Sequence, residues 1–129
     1  MIYEYDNTYN PPFPAITIIL HNHEEERSTE QLHALLDSGA DGSIVPLELL
    51  KQILAPALVD TKIRSHWGEW RSIQLFAVEI EVAQMNLKFT NLFVVGDDLG
   101  NEIILGRDFI NKLKLHLDGP TGTVTIPNQ

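Results

Sequence analysis

From Phe76 to Ala83 the side chains alternate with a period of two. Phe76, Val78, Ile80 and Val82 are apolar, and between them stand Ala77, Glu79, Glu81 and Ala83. A strand sends successive side chains to opposite faces, whereas a helix repeats near 3.6 residues, so this run predicts a half-buried strand. Such a strand needs partners for its edges and a layer over its apolar face. The chain supplies several. Ala15–Leu20 is rich in β-branched residues, Leu32–Leu36 is apolar, and Leu87–Val95 follows a turn near Gln84–Asn86 to complete a hairpin. Further short strands are predicted at Glu102–Leu105, Lys114–Leu117 and Thr123–Ile126, the last two around the turn Asp118–Gly122. Helical spacing occurs in two places only. Leu47, Leu50, Ile53 and Leu54 lie between Pro46 and Pro56, and Phe109, Ile110 and Leu113 lie in Arg107–Leu113. His21–Glu30 reads as a solvated turn, with a helix over Glu24–Leu36 as its rival. The expectation is a mostly β protein with two short helices.

With 129 residues the chain suits one domain, read as 15–129 behind an N-terminal arm, 1–14, whose Pro11, Pro12 and Pro14 resist helix and central strand. Nine Lys+Arg against 18 Asp+Glu leave a net charge of −9, which argues against nucleic acid as a partner. The absence of Cys removes thiolate nucleophiles, iron–sulfur clusters and Cys-rich zinc sites. The longest apolar stretch, Ala15–Leu20, is far shorter than the roughly 20 residues that span a bilayer. The N-terminal MIYEYDNTYN lacks the basic start and apolar run of a signal peptide, so a cytoplasmic protein without membrane contact is expected.

Two segments carry chemistry. In Ala34-Leu35-Leu36-Asp37-Ser38-Gly39-Ala40-Asp41 an acid ends an apolar strand and is followed by a hydroxyl and a glycine. In Ile103-Ile104-Leu105-Gly106-Arg107-Asp108-Phe109-Ile110 a second apolar strand ends in glycine and opens a helix. A local rival exists for the first: Asp37–Glu48 places acids at positions one, five and twelve and Gly42 at six of a calcium-binding loop, and a helix over Glu24–Leu36 would lead into it. Gly39 at position three offers no ligand, and Pro46 interrupts the loop. Ser38 as a hydrolase nucleophile lacks the G-x-S-x-G frame. His21 and His23 share one strand face, a spacing compatible with metal, but they read as exposed turn residues; no metal site and no cofactor is expected.

Together the two segments resemble the retropepsin-like aspartic proteases, the single-domain relatives of retroviral protease, over roughly Ala15–Ile126. The resemblance implies the acid-protease fold: a closed or partly open β-barrel with two short helices and a flap hairpin. It implies an aspartic endopeptidase that hydrolyses a peptide or protein substrate, with Asp37 as the catalytic residue. Ser38, Gly39, Ala40 and Gly106 would support the site. Ser38 would bond to the opposite loop, Gly39 would admit a close approach of backbone, and Gly106 would pack beneath the catalytic loop. Arg107 would pair with Asp41 in the same subunit, in the two-pronged way guanidinium meets carboxylate. Ser65–Arg71 would be the flap tip, with His66, Trp67 and Gly68 against substrate. The mechanism needs two carboxylates and the chain has one Asp-Ser-Gly, so the resemblance implies a homodimer with one Asp37 from each copy. Terminal strands would knit that dimer, with Thr123–Ile126 as the candidate, and the arm would do the same or cover the cleft. The alternative is a non-catalytic dimeric module of the same fold that binds peptides or serves assembly.

Overall fold

The alternating segment is a strand in the computed structural model, which describes residues 1–58, 60–64, 68 and 70–129. In chain order the elements are β1 (Ile2–Glu4), β2 (Ala15–Asn22), β3 (Arg27–Ser28), β4 (Leu32–Leu36), β5 (Ile44–Pro46), α1 (Leu47–Gln52), β6 (Thr61–Arg64), β7 (Trp70–Ile73), β8 (Leu75–Val82), β9 (Leu87–Asp97), β10 (Ile103–Leu105), α2 (Arg107–Ile110), β11 (His116–Asp118) and β12 (Thr123–Thr125). The period-two strand is β8. Its even-numbered residues, Phe76, Val78, Ile80 and Val82, are buried.

Six strands close on themselves. The order is β2-β4-β10-β5-β9-β8, and β8 pairs back onto β2, so none of these six is left as a bare edge of an open sheet. Ile18, Leu20, Val45, Ile80, Val82, Val94 and Leu105 fill the interior, and Phe109 of α2 sits edge-on to Phe89 with ring centroids 5.3 Å apart. The β8–β9 turn takes positive φ at Gln84 and Asn86. β6 and β7 form a separate two-stranded hairpin. In α1, Glu48 lies in the first turn and Lys51 in the last, each favoured by the helix dipole.

Four local expectations are corrected. The polar stretch after Leu20 is not simply a solvated turn, nor is Glu24–Leu36 a helix. β2 continues through Asn22 because its polar side chains have partners: His21 meets Ser28 and Glu81, and the Asn22 amide donates to the carbonyls of Ile53 and Leu54. The calcium-loop reading fails with it, since strands occupy both the approach to Asp37 and Ile44–Pro46. α2 ends at Ile110, because Lys112 and Leu113 donate to carbonyls three residues back, a tighter winding than the α-helix predicted to Leu113. The strand expected at Lys114–Leu117 lies at His116–Asp118.

The terminal strands also depart from expectation. β12 is flanked by β1 on one side and β11 on the other, all of one chain. The Met1 and Ile126 backbones exchange hydrogen bonds, and the Tyr3 hydroxyl donates to the Ala83 carbonyl at 2.8 Å. Three residues of the arm thus form a strand despite the prolines that follow, since one turned-in tyrosine anchors them. Both edges of β12 are filled within the chain.

Candidate active site

The two chemical segments lie far apart in sequence and side by side in the barrel. β4 and β10 run parallel in the register Ala34–Ile103, Leu35–Ile104 and Leu36–Leu105. The ladder runs one step further, where the Asp37 N–H donates to the Leu105 carbonyl at 2.9 Å. Parallel pairing therefore puts the Asp37-Ser38-Gly39 loop and Gly106-Arg107 at the same end of the sheet. Asp37 is half-buried there, and Ser38 and Gly39 are exposed.

The loop is held by its own backbone. The Gly39 N–H donates to Asp37 Oδ1 at 2.9 Å, and the Ala40 N–H donates to the Asp37 carbonyl at 3.1 Å. The first bond fixes the carboxylate rotamer and leaves Oδ2 for other partners. A Cβ on Gly39 would stand 3.1 Å from Asp37 Oδ1, so glycine keeps the carboxylate uncrowded by its own loop. The Arg107 N–H donates to the Ala40 carbonyl at 2.9 Å and ties the loop to the start of α2.

Gly106 lies beneath the loop. A Cβ there would come within 2.7 Å of the Gly42 carbonyl oxygen and 2.8 Å of that of Ala40. Beside it is a bonding centre that sequence reasoning missed. The buried Ser43 hydroxyl accepts from the Gly106 N–H at 3.1 Å and donates to Asp108 Oδ1 at 2.8 Å. Asp108 also accepts from the N–H groups of Ser43, at 3.1 Å, and Phe109, at 2.9 Å. One hydroxyl and one carboxylate thus satisfy three backbone donors where the loop meets the helix. The only sequence signal was Asp108 at the first turn of a helix, which by itself is an ordinary dipole-favoured acid.

Arg107 and Asp41 meet within one chain, as the resemblance implies, through a single Nη2–Oδ1 contact rather than two prongs. Their side chains are 49% and 91% exposed, so solvent screens the pair. Of the flap residues, His66 and Trp67 lie outside the described residues. Gly68 is described, with φ of 83°, between the strands of the β6–β7 hairpin. Among the described residues no group of three His, Asp or Glu side chains is placed to hold a metal ion.

A closed barrel with an Asp-Ser-Gly loop paired to an aliphatic-glycine segment defines the acid-protease class. Residues 11–118 match the model of the retroviral aspartyl protease family, and the chain belongs to that family. No curated protein matches it. Among solved structures it is similar to a retropepsin-like aspartic protease from Rickettsia conorii, with a TM-score of 0.64 at 11% identity over 98% of this chain and 88% of that one. The EIAV protease complexed with the inhibitor HBY-793 gives a TM-score of 0.53 at 22% identity, over 78% of this chain and 86% of that one. The retroviral protease-like domain of Ddi1 from Leishmania major gives 0.56 at 17% identity over 90% of each chain. Family and fold support a function of the aspartic-protease type. Among the described residues no helix is long and apolar enough to cross a membrane.

Proposed function

We propose that the chain is an aspartic endopeptidase whose site is completed by a second copy, with Asp37 from each subunit flanking the two-fold axis. The observation that carries this reading is the parallel pairing that sets Asp37 at the barrel end, with Gly39 holding one of its carboxylate oxygens and Gly106 beneath the loop. Two carboxylates facing each other cannot both ionise easily, so the pair holds one proton between them. The ionised member takes a proton from a water whose oxygen attacks the peptide carbonyl carbon. The protonated member donates to the carbonyl oxygen. Collapse of the tetrahedral adduct breaks the C–N bond, with the proton passing to the departing amine. Ser38, exposed beside Asp37, is the group that would bond to the partner's loop. Substrate would lie extended across the axis, aligned by main-chain bonds, with the β6–β7 hairpin as its cover. Because β12 is filled on both sides, the free edges of the terminal sheet are those of β1 and β11.

The test pairs cleavage of a mixed peptide library, from acid to neutral pH, with the mass in solution, for the wild type and Asp37→Asn. Turnover by a dimer that disappears in Asp37→Asn is expected. Equal cleavage by both forms would sink the assignment of Asp37. A folded dimer without turnover would leave the peptide-binding or assembly module.

A further inference from the structure

On the outer face of the barrel, β2 ends in His21-Asn22 with His23 just beyond it, and the facing strand β8 carries Glu79 and Glu81. Direct pairing sets His21 opposite Glu79, so the four side chains share one surface. The first pair is complete. His21 Nε2 lies 2.7 Å from Glu81 Oε1, and its Nδ1 lies 2.5 Å from the Ser28 hydroxyl, so both ring nitrogens have partners. The second pair is not. Glu79 is only 6% exposed, and its fully buried Oε2 makes no hydrogen bond among the described residues. His23 Nε2 approaches this oxygen to 2.7 Å, but outside hydrogen-bonding geometry, and the imidazole is itself 65% exposed. A carboxylate withdrawn from water needs a charged or hydrogen-bonding partner. His23, mostly in solvent, therefore covers this carboxylate from one side only.

Glu79 lines a cavity of about 380 Å³. Ala77 and Pro56 form its apolar side, and His21, His23 and Glu24 are the other titratable groups around it. Arg27 on the adjacent β3 reaches away toward the Gln52 carbonyl, so it does not serve as the missing cation. The space is much larger than a bare ion requires, and these residues do not converge on a metal position. We propose that this cavity binds an alkylguanidinium group, the exposed His23 ring swinging aside to let its planar N–H fork reach Glu79, with its aliphatic stem against Ala77 and Pro56. Guanidinium matches a carboxylate in two parallel hydrogen bonds and sheds water more readily than ammonium, which suits a carboxylate already buried. The site lies outside the catalytic machinery and stands independently of the protease reading.

Agmatine and N-acetyl-arginine amide, as the free-amine and peptide-like sources of the group, are titrated against the full chain with backbone amide NMR as the readout. Saturable shifts at Ala77, Val78, Glu79 and Thr90 with either probe are expected, along with binding weaker by about tenfold or more in Glu79→Gln. Glu79→Gln keeps shape and removes charge, while Asp118→Asn removes the same charge elsewhere and is expected to bind like the wild type. Preference for one probe tells a small-molecule from an arginyl-peptide source. Absence of saturable shifts in the wild type overturns the proposal without any variant. Equal weakening in Glu79→Gln and Asp118→Asn also overturns it, by assigning the binding to the overall charge of −9. So does tighter binding of Zn²⁺ at these same residues, lost in His23→Ala, because it would make the cluster a metal site.

Discussion

Gly106→Ala adds one methyl group under the Asp37–Gly42 loop, and the structure gives its cost from opposing effects. Gly106 has φ of −91°, which alanine adopts freely, so backbone strain plays no part. The added carbon would meet the Gly42 carbonyl oxygen at 2.7 Å, that of Ala40 at 2.8 Å and the Gly42 carbonyl carbon at 2.8 Å. All three are backbone atoms, so no change of rotamer relieves the contact; the 40–42 loop itself must move. Overpacking of this kind costs about 1–3 kcal/mol. Moving the Ala40 carbonyl also weakens its bond from the Arg107 N–H, which adds about 1 kcal/mol. Against this, alanine restricts the unfolded chain and returns about 0.4–1 kcal/mol. The steric effect wins, with a net loss of about 1–3.5 kcal/mol. At about 4 °C per kcal/mol for a domain of this size, the midpoint falls by about 4–14 °C. Urea unfolding followed by far-ultraviolet circular dichroism measures it, with an unchanged slope showing that the native and denatured states keep their compactness. Gly119→Ala is the control, because nothing lies within 4 Å of its Cβ; it is expected to be neutral or slightly stabilising. A Gly106→Ala protein as stable as that control would refute the claim that the loop rests on this glycine.

Ser43→Ala deprives the Gly106 N–H and Asp108 of a buried partner, and a loss of about 1–3 kcal/mol in the same urea assay is expected; a change below about 0.5 kcal/mol would show the junction to be held otherwise. Arg107→Gln and Asp41→Asn break an exposed ion pair, and each is expected to cost less than about 1 kcal/mol, so a markedly larger loss would mean that the pair is shielded from solvent. Tyr3→Phe leaves the Ala83 carbonyl without its donor and should cost about 1 kcal/mol near neutral pH. Burial raises the Tyr3 phenol above its ordinary value, so its contribution is present below the unfolded pKa near 10 and is lost as pH rises through the folded value; stability measured across the alkaline range should fall less steeply in Tyr3→Phe.

What could be read from the sequence depended on how far apart the interacting residues lie. β8 was legible because period two is written within eight consecutive residues, and the β8–β9 hairpin because its turn adjoins both strands. The Asp37-Ser38-Gly39 loop drew notice through motif resemblance, although nothing local to Leu32–Leu36 or Glu102–Leu105 says that these strands pair in parallel. β5, three residues long, was missed because its identity comes from the neighbours on either side, β10 and β9, not from a period of its own. Nor could spacing show that Ser43 binds Asp108, a contact across 65 positions.

The same distinction separates the two acids that the alternating strand displays. Glu79 and Glu81 look equivalent in sequence, both at the polar phase of a period-two run, and both would be read as solvent-facing. The barrel makes them unequal by folding one segment against them. His21, itself held by Ser28, bonds Glu81, while Pro56, Ala77, Thr90 and Asn91 line the space around Glu79 behind an exposed imidazole. Alternation fixes which face a side chain takes, and the covering of that face by residues from elsewhere in the chain decides whether a carboxylate there is a solubilising charge or a binding group. A polar phase that closure of the barrel buries is therefore where sequence reading is weakest, and where an unassigned site is best sought.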